Sequence, residues 1–497
     1  MTITTWPTMT VEAALSTAAG VYSSWDGATA LPAVSTATAA GSTGTVTFAS
    51  AHGLPNGAAM ALRGFTPAAW NGAWTVTVVS PTVVTITVTT TNATVVGTAY
   101  AGTALWDSGL WGPDVVWNDI TRYVISAQTR IGRQRETDHF ATGTGQLLLD
   151  NRDGRFSPDN LSGPYVSGGV SGVRPWRPIR IRATIGGVTY PVFYGWATTW
   201  LDASPPMKNP TVTVPLVDGF AILSAHNGYE RVSQGSGETT GRRIQRLLAD
   251  AGWTGGANIA NGTATVQATT LAQNTLTEIY QTADSEGIGA AFWIDPDGTA
   301  IFEQAYSLSE NTRSSVSQAT FGDGGGAEVP YENIDIGYDG DLVWNMAAFA
   351  RAGGSVQTAS DPTSRALYGD RQYSITNLIS QTDSVPSASA QFWVARYKDP
   401  DRRINSLDLH PSADPTGTVW AQALGRRIRD LVTVKARPRT STSFTISRSC
   451  FVDGIEHTWQ PGNWRTVLRL SSAAAFQTGA FLSKWDSAVW DTNQWAY

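Results

Sequence analysis

Short segments in which apolar and polar residues alternate recur through most of the sequence, and turn-forming residues separate them. The clearest example is RPIRIRATIGGVTYPVFYGWATTW at 177–200, in which a Gly-Gly pair divides two alternating runs. Alternation with a period of two places successive side chains on opposite faces of a strand, and a Gly-Gly pair permits a tight turn. The pattern therefore predicts a mainly β protein built from antiparallel strands.

Charge and cysteine content narrow the classes of protein to which this chain can belong. Charged residues make up 15% of the chain and the formal net charge is −6, whereas soluble domains usually carry about 25% charged residues. Such a chain has no general electrostatic attraction for nucleic acid. Cys450 is the only cysteine, which excludes an intramolecular disulfide and a cysteine-cluster zinc site.

The sequence lacks the patterns of secretion and of membrane insertion. Its start, MTITTWPTMTVEAAL, has neither the basic segment nor the apolar segment of a signal peptide. No apolar run approaches the roughly 20 residues that span a bilayer. We therefore expect a protein made in the cytoplasm, without a membrane-spanning segment.

Changes in composition divide the chain into predicted parts. Residues 36–103 are almost entirely Thr, Ala, Val and Gly, and Arg63 is their only Lys, Arg, Asp or Glu, which predicts a small all-β module inserted into the first connection of a larger domain. The predicted parts are a first antiparallel β-barrel (1–35 and 104–230), the inserted module (36–103), a small α+β domain (231–325), a second β-barrel (326–475) and a Trp-rich docking tail (476–497). The predicted fold class is mainly β with a small α+β part.

Local patterns predict several individual elements. Residues 8–15 are predicted to form the first strand, and Asp295-Pro296-Asp297-Gly298 the turn of a hairpin. Apolar residues at helical spacing predict helices at 239–253, 274–287, 387–398 and 418–431. In the second of these, Thr275 and Glu278 have the spacing of a capping box.

Sequence signatures of catalysis are missing. The five histidines never fall in His-Glu-x-x-His or His-x-His spacing, and no Gly-x-Ser-x-Gly motif occurs. GSGETTG at 235–241 is rich in glycine before a predicted helix, but it lacks the Lys-Ser/Thr of a phosphate-binding loop. Cys450 lies in an alternating segment, where a buried, unreactive thiol is expected. We therefore predict no catalytic residue, no metal site and no cofactor.

The acidic stretch LLLDNRDGRFSPDN at 147–160 invites comparison with a calcium loop. If Gly154 takes position 6 of an EF-hand loop, Leu149 falls at position 1 and Asn160 at position 12, so both anchoring carboxylates are missing. Asp and Gly are also common turn-formers. The prediction is a structural turn, with the strand starting again at Arg155 and Phe156.

Two sets of residues are candidates for contacts with partners. Trp-Asp-Ser-x-x-Trp occurs at 106–111 and again at 485–490, and tryptophan often dominates interface energies. These side chains either cover the chain's own barrels or dock on a partner; the candidates are Trp106, Trp111, Trp485, Trp490 and Trp495.

The basic runs RIGRQR (130–135) and RPWRPIRIR (174–182) predict a solvated or interfacial strand face rather than a nucleic-acid site; the candidates are Arg130, Arg133, Arg135, Arg180 and Arg182. The side chains of Trp70 and Trp74 either stack on a bound sugar or form the core of the inserted module.

Several of these segments, in this order, resemble minor tail proteins of long-tailed phages of actinobacteria. The resemblance rests on WNDITRYVISAQTRIGRQRE, GQLLLDNRDGRFSP, RPWRPIRIRAT and VFYG, and on DLVTVKARP followed by ISRSCFVDGIEHTWQPGNWRTVLRLS. It covers most of 104–475. AHGLPNG (51–57) and AAWNGAW (68–74) resemble small β modules inserted in phage tail and adhesion proteins.

The resemblance implies a structural role similar to that of a baseplate hub. It implies two tube-like β-barrels, a homotrimer that forms a pseudo-six-fold ring on the tail tube, and a location at the tail tip of the virion. The implied partners are the distal tail protein, the tape measure protein and other minor tail or receptor-binding proteins, with DNA passing through the channel. The alternative is a distal tail adaptor or receptor-binding protein whose inserted module binds a glycan.

Overall fold

A computed structural model describes residues 6–16 and 29–477, except 55, 64, 71, 89, 95, 102–115, 168, 203–209, 228–234, 339, 415–416 and 440–442. The chain divides into two compact units, residues 16–116 and residues 1–15 with 117–497. Within the described ranges, no helix has the length and apolar character needed to cross a membrane.

The unit of residues 16–116 contains two small antiparallel sheets. The first strand of the chain, β1 (Thr8–Ser16), precedes it. The described strands of the unit are β2 (Thr29–Ala30), β3 (Val34–Ala40), β4 (Thr43–Phe48), β5 (Ala59–Arg63), β6 (Gly72–Thr75), β7 (Thr77–Ser80), β8 (Val83–Thr87) and β9 (Thr98–Ala101). Their orders are β2-β9-β5-β6 and β3-β4-β8-β7. Val46, Met60 and Trp70 are fully buried in a core that belongs to this unit alone.

The other unit continues with a long run of strands and one short helix. These are β10 (Val116–Asp119), β11 (Val124–Gly132), β12 (Ala141–Asp150), β13 (Val166–Ser167), β14 (Val170–Ser171), β15 (Arg177–Ile185), β16 (Val188–Ala197), β17 (Leu201–Asp202), β18 (Thr211–Val217) and α1 (Gly219–Ala225). Strand β1 pairs with β15 in antiparallel fashion, so the first strand belongs to this unit.

The middle of the chain mixes helices with short strands. The elements are β19 (Glu238–Thr239), α2 (Thr240–Asp250), β20 (Ala257–Ile259), β21 (Thr265–Val266), α3 (Thr275–Asp284), β22 (Ala291–Ile294), β23 (Ala300–Glu303), α4 (Ser307–Glu310), α5 (Thr312–Ser315) and β24 (Thr320–Phe321). Strands β22 and β23 form the hairpin that the sequence predicts, and Gly298 has a φ of 88° at its turn.

The last part returns to strands with helices between them. It contains β25 (Asn333–Tyr338), β26 (Met346–Arg351), β27 (Gln357–Ser360), α6 (Pro362–Tyr368), β28 (Gln372–Leu378), α7 (Ser384–Tyr397), β29 (Arg402–Leu409), α8 (Thr418–Gly425), β30 (Leu431–Ala436), β31 (Ile446–Gln460), β32 (Asn463–Ser472) and α9 (Ala474–Gln477). Short 3₁₀ turns lie at Ala68–Trp70, Thr121–Tyr123 and Pro411–Ala413.

One large sheet joins strands from both ends of this unit. Its main order is β10-β1-β15-β16-β18-β12-β11-β31-β32-β29-β25, and β30 pairs with β31. The joint is the antiparallel pair β11–β31, in register from Ala127 opposite Trp459 to Gly132 opposite Gly454. The mainly β fold class with a smaller α+β part is confirmed, while the division into two barrels remains a prediction.

Three local predictions are wrong. The helix predicted for 418–431 ends at Gly425, because Arg429 has a φ of 69° and Leu431 begins β30 opposite Phe451. Helix α3 is capped by Asn274, whose side chain accepts a hydrogen bond from the Thr277 amide at 2.9 Å, rather than by Thr275. No strand restarts at Arg155 and Phe156.

Candidate functional site

Around β11, the large sheet has one apolar face and one polar face. Along β11, Ala127, Thr129 and Ile131 are buried, whereas Gln128 is exposed and Arg130 is half-exposed. Residues directly opposite each other on paired strands lie on the same face. The register therefore places Arg130 beside Glu456 and Gln128 beside Thr458 on the face away from the core. We call this surface the polar face.

The first charged cluster on the polar face is centred on Glu12. Glu12 lies opposite Arg180 in the β1–β15 register. Arg180 donates from Nε to Glu12 Oε2 at 2.7 Å, and Arg182 donates from Nη2 to the same oxygen at 2.5 Å. The guanidinium of Arg180 also lies 4.2 Å from the ring centre of Trp117. Hydrogen bonding from Arg180, followed by that from Arg182, holds the pKa of Glu12 below its usual value although burial opposes the shift.

The second charged cluster has the same composition and lies at the β11–β31 joint. Arg469 donates from Nε to Glu456 Oε1 at 3.0 Å. The Nε of Arg130 lies 3.6 Å from the same oxygen. Here too, one carboxylate stands between two guanidinium groups, but Arg130 lies on β11 and Arg469 on β32, whereas both arginines of the first cluster lie on β15.

Each Arg–Glu–Arg cluster carries a net charge of about +1 at neutral pH, because one carboxylate offsets only one of two arginines. The carboxylate holds the guanidinium groups on the sheet surface, where 30% of the Arg180 side chain and 41% of the Arg130 side chain remain exposed. Exposed guanidinium donors can bind a carboxylate or a phosphate of another molecule. The polar face therefore has donor groups that can bind anions.

The remaining predicted arginines lie elsewhere. Arg133 forms an ion pair with Asp453 at 3.0 Å, and its guanidinium lies 4.8 Å from the ring centre of Phe140. Arg135 is exposed in the turn after β11. The structure thus brings three of the five predicted arginines into the two clusters. Sequence reasoning missed Glu12, Glu456 and Arg469, which follow no local motif.

The predicted tryptophan contacts divide into two groups. Trp106, Trp111, Trp485, Trp490 and Trp495 lie outside the described residues. Trp70 is fully buried and its Nε1 donates to the Thr91 carbonyl at 2.9 Å, so it offers no face to a sugar in this structure. Trp74 is partly exposed and its Nε1 donates to the Trp70 carbonyl at 2.9 Å.

The acidic stretch at 147–160 is a turn held by its own side chains. Asp150 pairs with Arg152, and Asp153 pairs with Arg155. Asn151 accepts a hydrogen bond from the Phe156 amide at 2.9 Å, which directs the fully buried Phe156 ring into the core. The sequence prediction of a strand failed here because Phe156 is buried by a turn rather than by strand pairing.

Two observations bear on reactive chemistry. Cys450 is buried in β31, and burial raises the pKa of its thiol to about 12. In the part of the chain that the structure describes, no group of three or more His, Cys, Asp or Glu side chains is arranged to hold a metal ion.

Comparisons with known proteins give structural but not sequence matches. No protein-family model matches the sequence, and no curated protein matches it. The similar solved structures include a tail protein from Neisseria meningitidis MC58, with 14% identity and a TM-score of 0.48 over 73% of this chain and 96% of that chain. They also include the 43 kDa tail protein of prophage MuSo2 from Shewanella oneidensis, with 13% identity and a TM-score of 0.46 over 74% of this chain and 97% of that chain.

A third similar structure is the E. coli c3393 protein, a type VI secretion component described as structurally similar to the T4 tail proteins gp27 and gp5. It has 9% identity and a TM-score of 0.37 over 70% of this chain and 73% of that chain.

Proposed function

We propose that this chain is a structural protein of a phage tail tip, similar to a baseplate hub, that caps the tail tube and forms a ring around the DNA channel. The observation that carries the proposal is where the family-like motifs fall in the fold. They lie on β11, β12, β15, β16 and β30–β32, which are strands of one sheet although they come from distant parts of the sequence. Motifs that converge on one structural body support a common role more strongly than scattered motifs do.

The proposed mechanism is assembly. The polar face, with its two Arg–Glu–Arg clusters, contacts acidic groups of a neighbouring subunit or of the tube, and DNA passes through the ring during ejection. The proposed oligomer is a homotrimer located at the virion tail tip and made in the host cytoplasm. Its proposed neighbours are the distal tail protein, the tape measure protein and other minor tail or receptor-binding proteins.

Native mass measurement of the purified chain tests the oligomer directly. A trimer is expected, since two barrels in each of three copies would match a hexameric tube. A hexamer would instead favour a distal tail adaptor. A monomer at micromolar concentration would contradict both the hub function and the adaptor function.

The contribution of the polar face can be tested separately. We expect the double substitution Arg130→Ala and Arg469→Ala to reduce the yield of assembled tails in a complementation assay. Arg152→Ala is the matched control, because Arg152 also pairs with a carboxylate but lies in an exposed turn. Equal tail yields from the double variant and the control would contradict a role for the polar face.

The tail at 476–497 is proposed to attach the next tail component through its tryptophans. Removal of 482–497 is expected to leave the oligomer intact in native mass measurement and to weaken attachment of that component. Normal tail assembly by the truncated chain would contradict this role.

A second candidate function is receptor binding through the module. It is favoured by the separation of residues 16–116 as a unit with its own core. A glycan array probed with the full chain and with Trp74→Ala tests it, and binding that the substitution abolishes would support it.

The proposed structural role includes no catalysis. Clearing of host cell wall in a zymogram would contradict that role.

A further inference from the structure

A cavity of about 490 Å³ lies in the unit that holds the large sheet. Its walls come from the β11–β12 turn, the end of α3, strand β28, helix α7 and the residues just after β32. His139 and Asp284 line it with 52% and 28% of their side chains exposed, so the cavity reaches the surface beside them. The volume falls in the range of about 300–1,000 Å³ that is typical of small-molecule sites.

The charges that line the cavity nearly cancel. The charged or titratable side chains of the lining are Arg133, Arg396, Arg429, Glu136, Asp138, Asp284, Asp453 and His139. Three arginines face four carboxylates, so the formal charge is −1 when His139 is neutral and zero when it is protonated. A strongly charged ligand therefore gains little net attraction from these walls.

Some of the carboxylates in the lining already have partners. Glu136 accepts from Arg396 at 3.2 Å and from Arg403 at 3.1 Å. The carboxylate of Asp284 lies 2.9 Å from His139 Nε2. These two acids are therefore engaged within the chain, and other groups of the lining have to recognise a ligand.

Buried polar groups of both kinds remain without a hydrogen bond. In the part of the chain that the structure describes, they are three donors and one acceptor of the lining: Arg133 Nε, Trp393 Nε1, Arg429 Nη1 and Asp453 Oδ2. Asp453 Oδ2 lies 3.0 Å from Arg133 Nη2, and Arg429 Nη1 lies 3.2 Å from Glu303 Oε2, but neither contact has the geometry of a hydrogen bond. Unmet buried donors and acceptors are unfavourable, so a matching ligand has to accept and to donate.

Aromatic rings form another part of the wall. Tyr373 and Trp393 stack with their ring centres 4.0 Å apart and their planes 14° apart. Phe392 and Phe476 also line the cavity, with their ring centres 5.2 Å apart. The face of an aromatic ring carries partial negative charge, which attracts C–H groups. A matching ligand therefore presents C–H groups next to its hydrogen-bonding groups.

We propose that this cavity binds a neutral sugar unit of a glycan. A hydroxyl group both donates and accepts hydrogen bonds, so the hydroxyls of one sugar ring can accept from Arg133 and Arg429 and donate to Asp453. The C–H face of the same ring can pack on the aromatic wall. A phosphate or carboxylate would be repelled by Asp453, and an amine would be repelled by the arginines.

This sugar site lies in a different unit from Trp74, the candidate glycan contact of the inserted module. The inference goes beyond the proposed assembly role and does not depend on it. A ring-forming structural protein and a protein with another role would both have the same cavity.

A glycan array probed with the labelled full-length chain tests the proposal. The array carries neutral glycans, acidic glycans and glycans with free amines. The test variant is Ser389→Trp, which places a large side chain at a position that lines the cavity. Ser389→Ala is its matched control, and Trp74→Ala reports on the module.

The natural chain should bind neutral glycans, and Ser389→Trp should abolish that binding while Ser389→Ala and Trp74→Ala keep it. The proposal would be overturned by a chain that binds no neutral glycan, since water alone would then satisfy the buried groups. Binding that Trp74→Ala abolishes and Ser389→Trp leaves intact would also overturn it.

A conservative variant tests the cavity even if Ser389→Trp fails to fold. Trp393→Phe keeps an aromatic ring in the wall and removes only the unmet Nε1 donor. Titration calorimetry with the neutral glycan that binds best on the array should show affinity about three- to tenfold weaker than that of the natural chain. Unchanged affinity would contradict recognition through this cavity.

Discussion

At the scale of single residues, Glu12 is central to the first cluster because its carboxylate accepts hydrogen bonds from both Arg180 and Arg182. Glu12→Gln would leave two neighbouring guanidinium groups without a negative charge between them. We expect the free energy of unfolding to fall by about 1–2 kcal/mol, since the pair is neither fully buried nor fully exposed. Urea unfolding followed by circular dichroism measures this, with exposed Glu310→Gln as the control.

The effect of Glu12→Gln on stability should also depend on pH. The pKa of Glu12 lies below its ordinary value of 4.5, so the carboxylate stabilises the fold above that pH and the stabilisation is lost as the pH falls through the folded-state pKa. The difference between the natural chain and Glu12→Gln should be constant above about pH 6 and should shrink in acid. A difference that keeps its full size at about pH 2 would contradict the assignment.

Asp218 should give the stability of the fold the opposite pH dependence. Burial raises the pKa of its carboxyl to about 8, and its oxygens accept from the amides of Gly143 at 2.7 Å and Phe220 at 3.0 Å. Because the folded state holds a proton that the unfolded state loses above its ordinary pKa of 3.8, stability should decline as the pH rises towards 8.

Asp218→Asn removes this titration. The variant should be less stable than the natural chain at about pH 5, because one backbone amide loses its acceptor, and the difference should narrow by about pH 8.5. Urea midpoints measured across this range provide the test. Parallel pH profiles for the two proteins would show that Asp218 does not cause the dependence.

At the scale of elements, the β11–β31 joint depends on close backbone contact. Gly132 has a φ of 95°, and a Cβ there would lie 2.2 Å from the Asp453 carbonyl oxygen. Gly132→Ala should therefore lower the free energy of unfolding by more than about 3 kcal/mol.

Gly462→Ala is a matched control for the joint, because Gly462 has a φ of 79° but no atom within 4 Å of an added Cβ. Only the backbone strain remains there, and a loss of about 1 kcal/mol is expected. Equal losses from the two substitutions, measured as urea unfolding midpoints, would show that the close contact does not matter.

Local patterns predict the elements of this chain where local and tertiary preferences agree. Strand β1 and the β22–β23 hairpin follow from alternation and turn residues. The helix predicted for 418–431 is wrong in its second half, because Arg426 and Arg429 suit a helix but Leu431 pairs in the sheet opposite Phe451. Phe156 is buried by a turn, which periodicity cannot detect.

In the candidate site, too, local patterns predict some of the residues, and tertiary contacts determine the others. Alternation at 179–182 predicts one basic face on β15, and the structure places Arg180 and Arg182 together on Glu12. Nothing local indicates Glu12 itself, because it pairs with Arg180 from 168 positions away. The shared carboxylate in each cluster is therefore a product of strand order in the sheet.

At the scale of the whole molecule, the chain between β1 and β10 should be removable. These strands are neighbours in the sheet, and the amides of Leu15 and Ile120 donate to Asn118 Oδ1 at 3.1 Å and to the Val11 carbonyl at 2.9 Å. Replacing residues 17–115 with a short Asn-Gly turn would therefore close an ordinary β-hairpin.

We expect this deletion to give a soluble chain with the same oligomeric state as the full-length protein. Its stability should be equal or higher, because a shorter connection costs less loop-closure entropy. Native mass measurement and thermal unfolding provide the comparison, and aggregation of the deletion variant would contradict the prediction.

The continuous sheet also has a mechanical consequence. Strands β11 and β31 are held by six residue pairs in register, from Ala127–Trp459 to Gly132–Gly454. A force along these strands loads many hydrogen bonds at once. The regions on either side of the joint should therefore move together as one rigid body, here called the plate. Elastic deformation under load is then expected at loops and at boundaries between separate chains, while the plate itself transmits the strain.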